Sequence, residues 1–135
     1  MTAASVVLDA SVVIRSAVAN EPTAREWIRA VEAGDVEAHT PELAYAEIVS
    51  GLLKYVRAKL VAPELAAEIV KGAVKLPLSS HGHARLAGPS LALALELGLS
   101  AYDACYVALA LALDAPLITT DRRLAAAVPA SELLP

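Results

Sequence analysis

Phenylalanine is absent from this 135-residue chain, and all aromatic residues together make up only 4% of it. The hydrophobic core must therefore be built mainly from aliphatic side chains, which are plentiful because 57% of the residues are hydrophobic. Charged residues make up only 19%, which excludes the composition typical of a disordered chain. The sequence predicts one folded domain over residues 1–135, long enough to bury a sizeable core.

Cysteine occurs once, at Cys105, so no internal disulfide can form. The residue lies in the apolar run ACYVALALAL, and we expect a small buried hydrophobic side chain there rather than a reactive thiol. No cysteine–histidine spacing in the chain is typical of a zinc site.

Basic residues are also scarce. The chain has 11 Lys and Arg against 15 Asp and Glu, which gives a formal net charge of −4. Domains that bind nucleic acid are usually basic, so this balance does not favour electrostatic attraction of the whole protein to nucleic acid. A function on nucleic acid would need a local group of basic side chains.

Long apolar runs are missing as well. Glu96 and Asp103 interrupt the richest region, and no stretch reaches the roughly 18 residues of a membrane span. Near the N-terminus no Lys or Arg precedes the apolar stretch, and Asp9 falls where a signal peptide would be uninterrupted. We therefore expect a cytoplasmic protein with no membrane partner.

Strand and helix patterns alternate along the chain. Because the predicted helices have the length of crossover connections, the pattern predicts an α/β fold with a parallel sheet and helices on both faces. The predicted strands are residues 6–8, 36–39, 74–79 and 115–120, and the predicted helices are residues 10–18, 23–34, 40–59, 63–73, 83–97, 100–113 and 121–128.

Two predicted helices have clear start signals. Thr23 can cap the second helix, and Glu26 three residues later completes a capping box. Thr40 is the predicted N-cap of the third helix, with Pro41 at its first helical position.

The last part of the chain is richest in helical signals. Residues 83–97 are predicted as a helix that Pro89 can split. Ser100 then opens the next helix, with Asp103 three residues on as in a capping box. Residues 104–113 carry no charge on any face, so this helix is predicted to be central and buried.

Four acidic residues fall at positions where strands end. Asp9 directly follows the first predicted strand and Asp121 the last, while Asp103 lies in the first turn of the helix before that last strand. Glu47 lies in the helix after the second strand, on a partly apolar face. Because ligands bind at the carboxyl ends of the strands in such sheets, we expect these acids to converge at one edge.

Each acid also has a simpler explanation. Asp9 and Asp121 can cap the helices that follow them, and Asp103 can be only a capping-box acid. Glu47 can be solvated or paired with Lys54. Capping explains why each acid is tolerated alone, but it does not explain why several converge.

Converging carboxylates repel one another and raise each other's pKa unless a cation neutralises them. All-oxygen sites suit Mg²⁺ or Mn²⁺, and such a site can assist phosphoryl transfer. A metal site would explain why Asp9 interrupts an apolar run. His81 and His83 lie in a predicted loop, and we expect them to be solvated.

The four acidic motifs together resemble those of PIN-domain ribonucleases, and most of all VapC-type toxins of toxin–antitoxin pairs. The first motif is VVLDASVVI, with Asp9 and Ser11, and the second is TPELAYAEIVSGL, with Glu47. The third is LSAYDACYVALA, with Asp103, and the fourth is PLITTDRRL, with Asp121. The match covers nearly the whole chain, and the order of the four motifs makes it specific.

This resemblance implies a PIN-like parallel sheet flanked by helices and an endonuclease that needs Mg²⁺ or Mn²⁺ and acts on RNA. It also implies which residues form the site. The implied catalytic residues and metal ligands are Asp9, Glu47, Asp103 and Asp121, and the implied supporting or substrate-binding residues are Ser11, Thr120 and Arg122. Ser11 and Thr120 can equally be ordinary residues at a helix start and a strand end.

The family also implies a homodimer and a small antitoxin protein that wraps the toxin and blocks its site. The acidic balance departs from what RNA binding requires. Arg122, Arg123, Arg15 and Arg85 could supply local phosphate contacts, or they could form an ordinary solvated basic face.

Other functions stay open from the sequence. A non-catalytic PIN-like module could dimerise and hold a partner protein, although the complete acidic set argues against it. A phosphoacceptor switch at Asp9 would need a lysine after a late strand, where LITTDRRL offers arginines. Tyr45, Ile48 and Leu52 could line a groove for the antitoxin or belong to the core.

Overall fold

Residues 3–135, the part of the chain that the computed structural model describes, form a five-stranded parallel sheet flanked by seven helices. The strands are β1 (Ala4–Leu8), β2 (Val36–Pro41), β3 (Leu78–His81), β4 (Leu117–Thr119) and β5 (Glu132–Leu133). The helices are α1 (Ala10–Val18), α2 (Pro22–Ala33), α3 (Leu43–Arg57), α4 (Pro63–Lys75), α5 (His83–Leu97), α6 (Ala101–Leu113) and α7 (Arg122–Ala127). The predicted parallel α/β architecture is confirmed.

Strand β1 occupies the centre of the sheet, whose order is β3-β2-β1-β4-β5. Val7 pairs with His39 on one side and with Leu117 on the other, and Leu8 pairs with Ile118. All the strand pairs are parallel, so the carboxyl ends of β1, β2 and β4 lie at the same edge.

Helix α6 forms much of the core beneath this sheet. Its residues 104 and 106–110 are buried, as the absence of charge predicts. The prediction was wrong for the last turn, where Leu111 is 46% exposed, and Cys105 is half-buried rather than buried. The first turn of α6 carries Asp103 close to Asp9, which follows the carboxyl end of β1.

No single helix in the described residues is long and apolar enough to cross a membrane. Helices α5 and α6 pass such a test only when taken together, and they are bent by 111° at the break between them. Six of the 13 residues of α6 are buried inside the protein.

The predicted start of α2 was wrong. Glu21, not Thr23, is the N-cap, and its carboxylate accepts hydrogen bonds from the backbone N–H groups of Thr23 and Ala24 at 3.2 and 2.8 Å. Pro22 takes the first helical position, which favours a start there because proline has no N–H to leave unpaired.

The predicted start of α3 was also wrong. Thr40 and Pro41 extend β2 instead of opening the helix, which begins at Leu43. The Thr40 hydroxyl donates a 3.1 Å hydrogen bond to the carbonyl of Leu8, so it ties β2 to β1 rather than capping a helix.

Strand β3 begins later than predicted, because α4 continues to Lys75. Leu76 then adopts an extended conformation, which the following Pro77 favours by excluding helical backbone at the residue before it. Strand β5 was not predicted, since the two residues Glu132–Leu133 are too short to show alternation.

The signals around α5 were mostly correct. Pro89 does not split the helix, and Gly88 before it has no Cβ to clash with the proline ring. Gly98 ends the helix with a φ of 67°, a left-handed conformation that favours glycine. Ser100 caps α6 as predicted, accepting a 3.1 Å hydrogen bond from the backbone N–H of Asp103.

The apolar face of α3 belongs to the core. Ile48 and Leu52 are each only 2% exposed, and Tyr45 is half-buried. The alternative that these residues form part of the core is therefore correct, and the other alternative, an open groove lined by all three, is not observed.

Candidate active site

Asp9 lies at the carboxyl end of β1 and serves as the N-cap of α1. Its Oδ2 accepts hydrogen bonds from the Thr119 hydroxyl at 2.6 Å and the Ser11 hydroxyl at 3.0 Å. Its Oδ1 accepts a longer bond of 3.4 Å from the backbone N–H of Ser11. Asp9 therefore does cap α1, as the simpler explanation holds. A helix cap does not need two hydroxyl groups donating to the same carboxylate oxygen, so capping alone does not account for these bonds.

Burial dominates the electrostatics of Asp9, which is only 8% exposed. Removal from water raises the pKa of its carboxyl group, and the charge of Asp121 raises it further. The hydrogen bonds from Thr119 and Ser11 act in the opposite direction. The carboxylate is therefore held at an electrostatic cost that a cation would offset.

Thr119, rather than Thr120, is the threonine whose hydroxyl contacts the acids. It is fully buried, donates to Asp9 and accepts a 3.0 Å hydrogen bond from the backbone N–H of Asp121. Thr120 contributes its backbone N–H, which donates to the Ser11 hydroxyl oxygen at 3.3 Å. Because Leu8 pairs with Ile118, Asp9 lies opposite Thr119. The register between β1 and β4 is therefore the feature that identifies Thr119.

A hydrogen bond between Tyr106 on α6 and Glu47 on α3 connects two helices at the site. The Tyr106 hydroxyl donates a 2.6 Å hydrogen bond to Oε1 of Glu47 and accepts a 3.3 Å bond from the backbone N–H of Ala10. Among the described residues Glu47 makes no ion pair with Lys54, so that alternative is not observed. The sequence analysis missed Tyr106, whose only signal is a hydroxyl within the uncharged run of residues 104–113.

The pKa of Glu47 is raised, chiefly by burial and then by the charges of Asp9 and Asp103. The bond from Tyr106 lowers it in part. The pKa of Tyr106 itself is raised by burial and by the charges of Asp9 and Glu47, so its hydroxyl stays protonated and acts as a donor.

Asp103 lies in the first turn of α6, after the Ser100 cap. Burial raises the pKa of its carboxyl group, as do the charges of Asp121 and Asp9, whereas Ser100 and Arg123 lower it. Arg123 in turn donates a 2.8 Å hydrogen bond to the carbonyl of Gly98. This hydrogen bond holds the Arg123 guanidinium near Asp103. Arg123 therefore has a structural role besides lowering the pKa of Asp103.

Asp121 caps α7, because its Oδ1 accepts from the backbone N–H groups of Arg123 at 2.8 Å and Leu124 at 3.3 Å. Its charge nevertheless raises the pKa values of Asp9 and Asp103. Asp121 is therefore both a helix cap and a member of the acidic group.

The structure thus brings the four acids of the sequence motifs within electrostatic reach of one another at one edge of the sheet. In residues 3–135, however, no three His, Cys, Asp or Glu side chains are grouped closely enough to hold a metal ion by themselves. The donor chemistry fits a hard cation that keeps several waters and binds one or two carboxylates together with substrate phosphate. It does not fit a metal enclosed by protein ligands alone.

The other arginines differ in their surroundings. Arg122 is exposed and makes no salt bridge within the described part of the chain. Arg15 lines a pocket together with Ser11, whereas Arg85 lies near His81 and helps to lower its pKa. Only Arg15 shares a cavity with a residue that contacts Asp9.

The expectation of a solvated loop at His81 was wrong. This residue ends β3, and its Nε2 lies 2.9 Å from Nδ1 of His39, whose Nε2 lies 3.1 Å from Glu37. Burial lowers the pKa of His81, with His39 and Arg85 acting in the same direction. His83, at the start of α5, is exposed as predicted.

Comparison with known proteins gives results that agree with this geometry. A family model described as PIN domain matches residues 6–128. Ribonuclease VapC3 from Pyrobaculum aerophilum is 36% identical over 96 residues, which cover 70% of this chain and 73% of that protein.

Solved structures share the fold. The crystal structure of PAE2754 from Pyrobaculum aerophilum matches with a TM-score of 0.75 and 24% identity, over 97% of this chain and 83% of that chain. A toxin–antitoxin complex from Klebsiella pneumoniae has a TM-score of 0.61 and 21% identity, over 94% and 95% of the two chains. VapBC2 from Rickettsia felis, bound to a DNA fragment from its promoter, has a TM-score of 0.70 and 14% identity, over 96% and 97%.

The family model spans most of the chain, and the order of elements and the parallel sheet agree with the solved relatives. The chain is therefore a member of the PIN domain family, with a VapC protein among its relatives.

Proposed function

We propose that the chain is an endoribonuclease of the VapC type, acting as the toxin of a toxin–antitoxin pair. Support comes from its 36% identity to a protein named ribonuclease VapC3. The observation that carries the proposal is the group of acids around Asp9 at the carboxyl edge of the sheet, whose pKa values are raised by burial and then by one another's charges.

The cofactor would be Mg²⁺ or Mn²⁺. One or two of the carboxylates of Asp9, Glu47, Asp103 and Asp121 would hold it directly, and the others would act through water. When bound, the cation would neutralise the carboxylates and stabilise the negative charge that develops during phosphodiester hydrolysis. Burial raises the pKa values of Asp9, Glu47 and Asp103, and the charges of neighbouring carboxylates raise them further. These shifts support the assignment, since a nearby cation favours the charged form of each group.

The chain's own residues would position this site. The hydroxyls of Thr119 and Ser11 fix one oxygen of Asp9, and Tyr106 fixes one oxygen of Glu47. Glu47 would take the proton of the attacking water or contact the cation through water. Arg122 and Thr120 would lie at the margin, where an exposed guanidinium can contact phosphate.

The proposed partners are an RNA substrate and a cognate antitoxin, with a homodimer as the working assembly and the cytoplasm as the place of action. Support comes from the fold, which is shared with a toxin–antitoxin complex from Klebsiella pneumoniae and with VapBC2 from Rickettsia felis.

Cleavage of a mixed RNA pool tests the proposal. We expect fragments with Mg²⁺ or Mn²⁺, none with chelator, and none from an Asp9→Asn variant that folds normally. If folded, metal-loaded protein cleaves neither the pool nor a panel of structured RNAs, a non-catalytic binding module becomes the better account.

A further inference from the structure

A cavity lies beside the acidic site, between α1 and α3. It has a volume of about 370 Å³, and Ser11, Arg15, Gly51, Lys54 and Tyr55 line it together with the apolar side chains of Ile14 and Leu60. This volume falls within the range of about 300–1,000 Å³ that is typical of small-ligand pockets.

The cavity adjoins the acidic site along both helices. On α1, Ser11 lines the cavity and donates its hydroxyl to Oδ2 of Asp9 at 3.0 Å. On α3, Gly51 lines it one turn after Glu47, and a Cβ at Gly51 would collide with the side chain of Ile14. The two helices therefore pack closely at this cavity, and Ser11 is shared between the cavity and the Asp9 carboxylate.

The wall of the cavity combines positive charge with an aromatic ring. Arg15 and Lys54 are exposed, and neither forms a salt bridge in the described part of the chain. Tyr55 is half-buried beside them. Basic groups that follow the backbone and an aromatic face that stacks a base are the features by which proteins bind single-stranded nucleic acid.

We propose that this cavity holds the nucleotide next to the scissile phosphate of a single-stranded RNA. Arg15 and Lys54 would contact its phosphate, and Tyr55 would stack on its base. The inference rests on the proposed function and deepens it, because it places local positive charge beside the acids in a chain whose net charge is −4. It also implies that a base-paired nucleotide does not fit at this position.

The test measures binding of a fluorescent, mixed-sequence single-stranded RNA to variants made on the Asp9→Asn background, with cleavage kinetics of the same variants on the active protein. The double change Arg15→Ala and Lys54→Ala should make RNA binding less sensitive to salt. Because two phosphate contacts are removed, the slope of log affinity against log salt concentration should fall by roughly 1.4. Tyr55→Ala should weaken binding roughly 5- to 100-fold, whereas Tyr55→Phe retains it. Arg57→Ala on the same helix is the control and should change neither quantity.

In the active protein, the cavity variants should raise KM for single-stranded RNA far more than they lower kcat, and a hairpin of the same sequence should be cleaved poorly. The inference is overturned if wild-type protein cleaves RNA while the cavity variants match Arg57→Ala, or if they lose only antitoxin binding. Should Tyr55→Ala fail to fold, the double basic change and Tyr55→Leu decide the question. If wild-type protein neither binds nor cleaves RNA, the proposed function fails and this inference fails with it.

Discussion

The buried hydroxyl of Tyr106 joins three helices, because it donates to Glu47 at 2.6 Å on α3 and accepts from the backbone N–H of Ala10 at 3.3 Å on α1. Removing it leaves two polar groups without their partner. We therefore expect Tyr106→Phe to lower the free energy of unfolding by about 1–3 kcal/mol and to reduce RNA cleavage. Chemical denaturation measures the first effect. Tyr102→Phe is the control, since Tyr102 is 66% exposed on the same helix, and equal losses in the two variants would contradict this role for Tyr106.

Thr119 and Thr120 are adjacent threonines with different contacts. Thr119→Val removes the 2.6 Å bond to Asp9 and the acceptor for Asp121, so we expect a loss of about 1.5–3 kcal/mol in unfolding free energy. Thr120→Val keeps the backbone N–H that donates to Ser11 and should cost below about 1 kcal/mol. Thermal or urea unfolding compares the two. The assignment is wrong if Thr120→Val is the more damaging change.

The raised pKa of Asp9 predicts the pH dependence of stability in metal-free protein. Burial raises this pKa above its value in the unfolded chain, so between the two values the folded state binds more protons than the unfolded state. Stability contributed by this group is therefore present below the unfolded value of about 4 and is lost as pH rises through the folded pKa. Glu47 and Asp103 act with the same sign.

Asp9→Asn removes that electrostatic cost and should therefore raise the unfolding free energy at neutral pH. His81 has a lowered pKa, so its contribution to stability rises with pH, opposite to that of Asp9. The quantity to compare is therefore the difference in unfolding free energy between wild type and variant, in which the contribution of His81 cancels. Urea unfolding in chelator across the acidic to neutral range measures it. A difference that does not grow with pH would contradict the electrostatic cost assigned to Asp9.

Asp121 has two roles that one substitution can separate. Asn caps helices about as well as Asp, so Asp121→Asn should preserve α7 while removing a negative charge from the site. Saturating Mg²⁺ should stabilise wild-type protein by about 2.7 kcal/mol at 100 times its Kd, and this gain should shrink clearly in the variant. The unfolding midpoint with and without Mg²⁺ is the measurement, and the exposed Asp35→Asn is the control. An unchanged gain would leave Asp121 as a cap alone.

Local signals in the sequence predicted a large part of the fold. The start of α1 after Asp9, the Gly98 end of α5 and the Ser100 cap of α6 follow from nearby residues, and all are observed. The predicted start of α2 was wrong because Glu21 and Pro22 form a competing local start signal, and the predicted start of α3 was wrong because a tertiary contact holds Thr40 in β2. Thr40, for example, is fixed by Leu8 of the neighbouring strand.

Within the site, strand order predicted which acids converge, but not the groups that hold them. Choosing Thr119 over Thr120 requires the register between β1 and β4. Finding the bond from Tyr106 to Glu47 requires the packing of α6 against α3, which joins residues 59 positions apart. Such long-range pairings leave no trace in local periodicity.

We propose that the carboxylates at the edge of the sheet carry out metal-dependent RNA cleavage. Asp103 and Asp114 lie at opposite ends of α6, so Asp103→Asn and Asp114→Asn make a matched pair. Asn is tolerated at Asp114, whose φ of 49° is left-handed. The direct measurement is the Mg²⁺-dependent rate of RNA cleavage by the two folded variants. The account predicts a loss of at least about 100-fold for Asp103→Asn and a near wild-type rate for Asp114→Asn. Equal rates in both variants would contradict it.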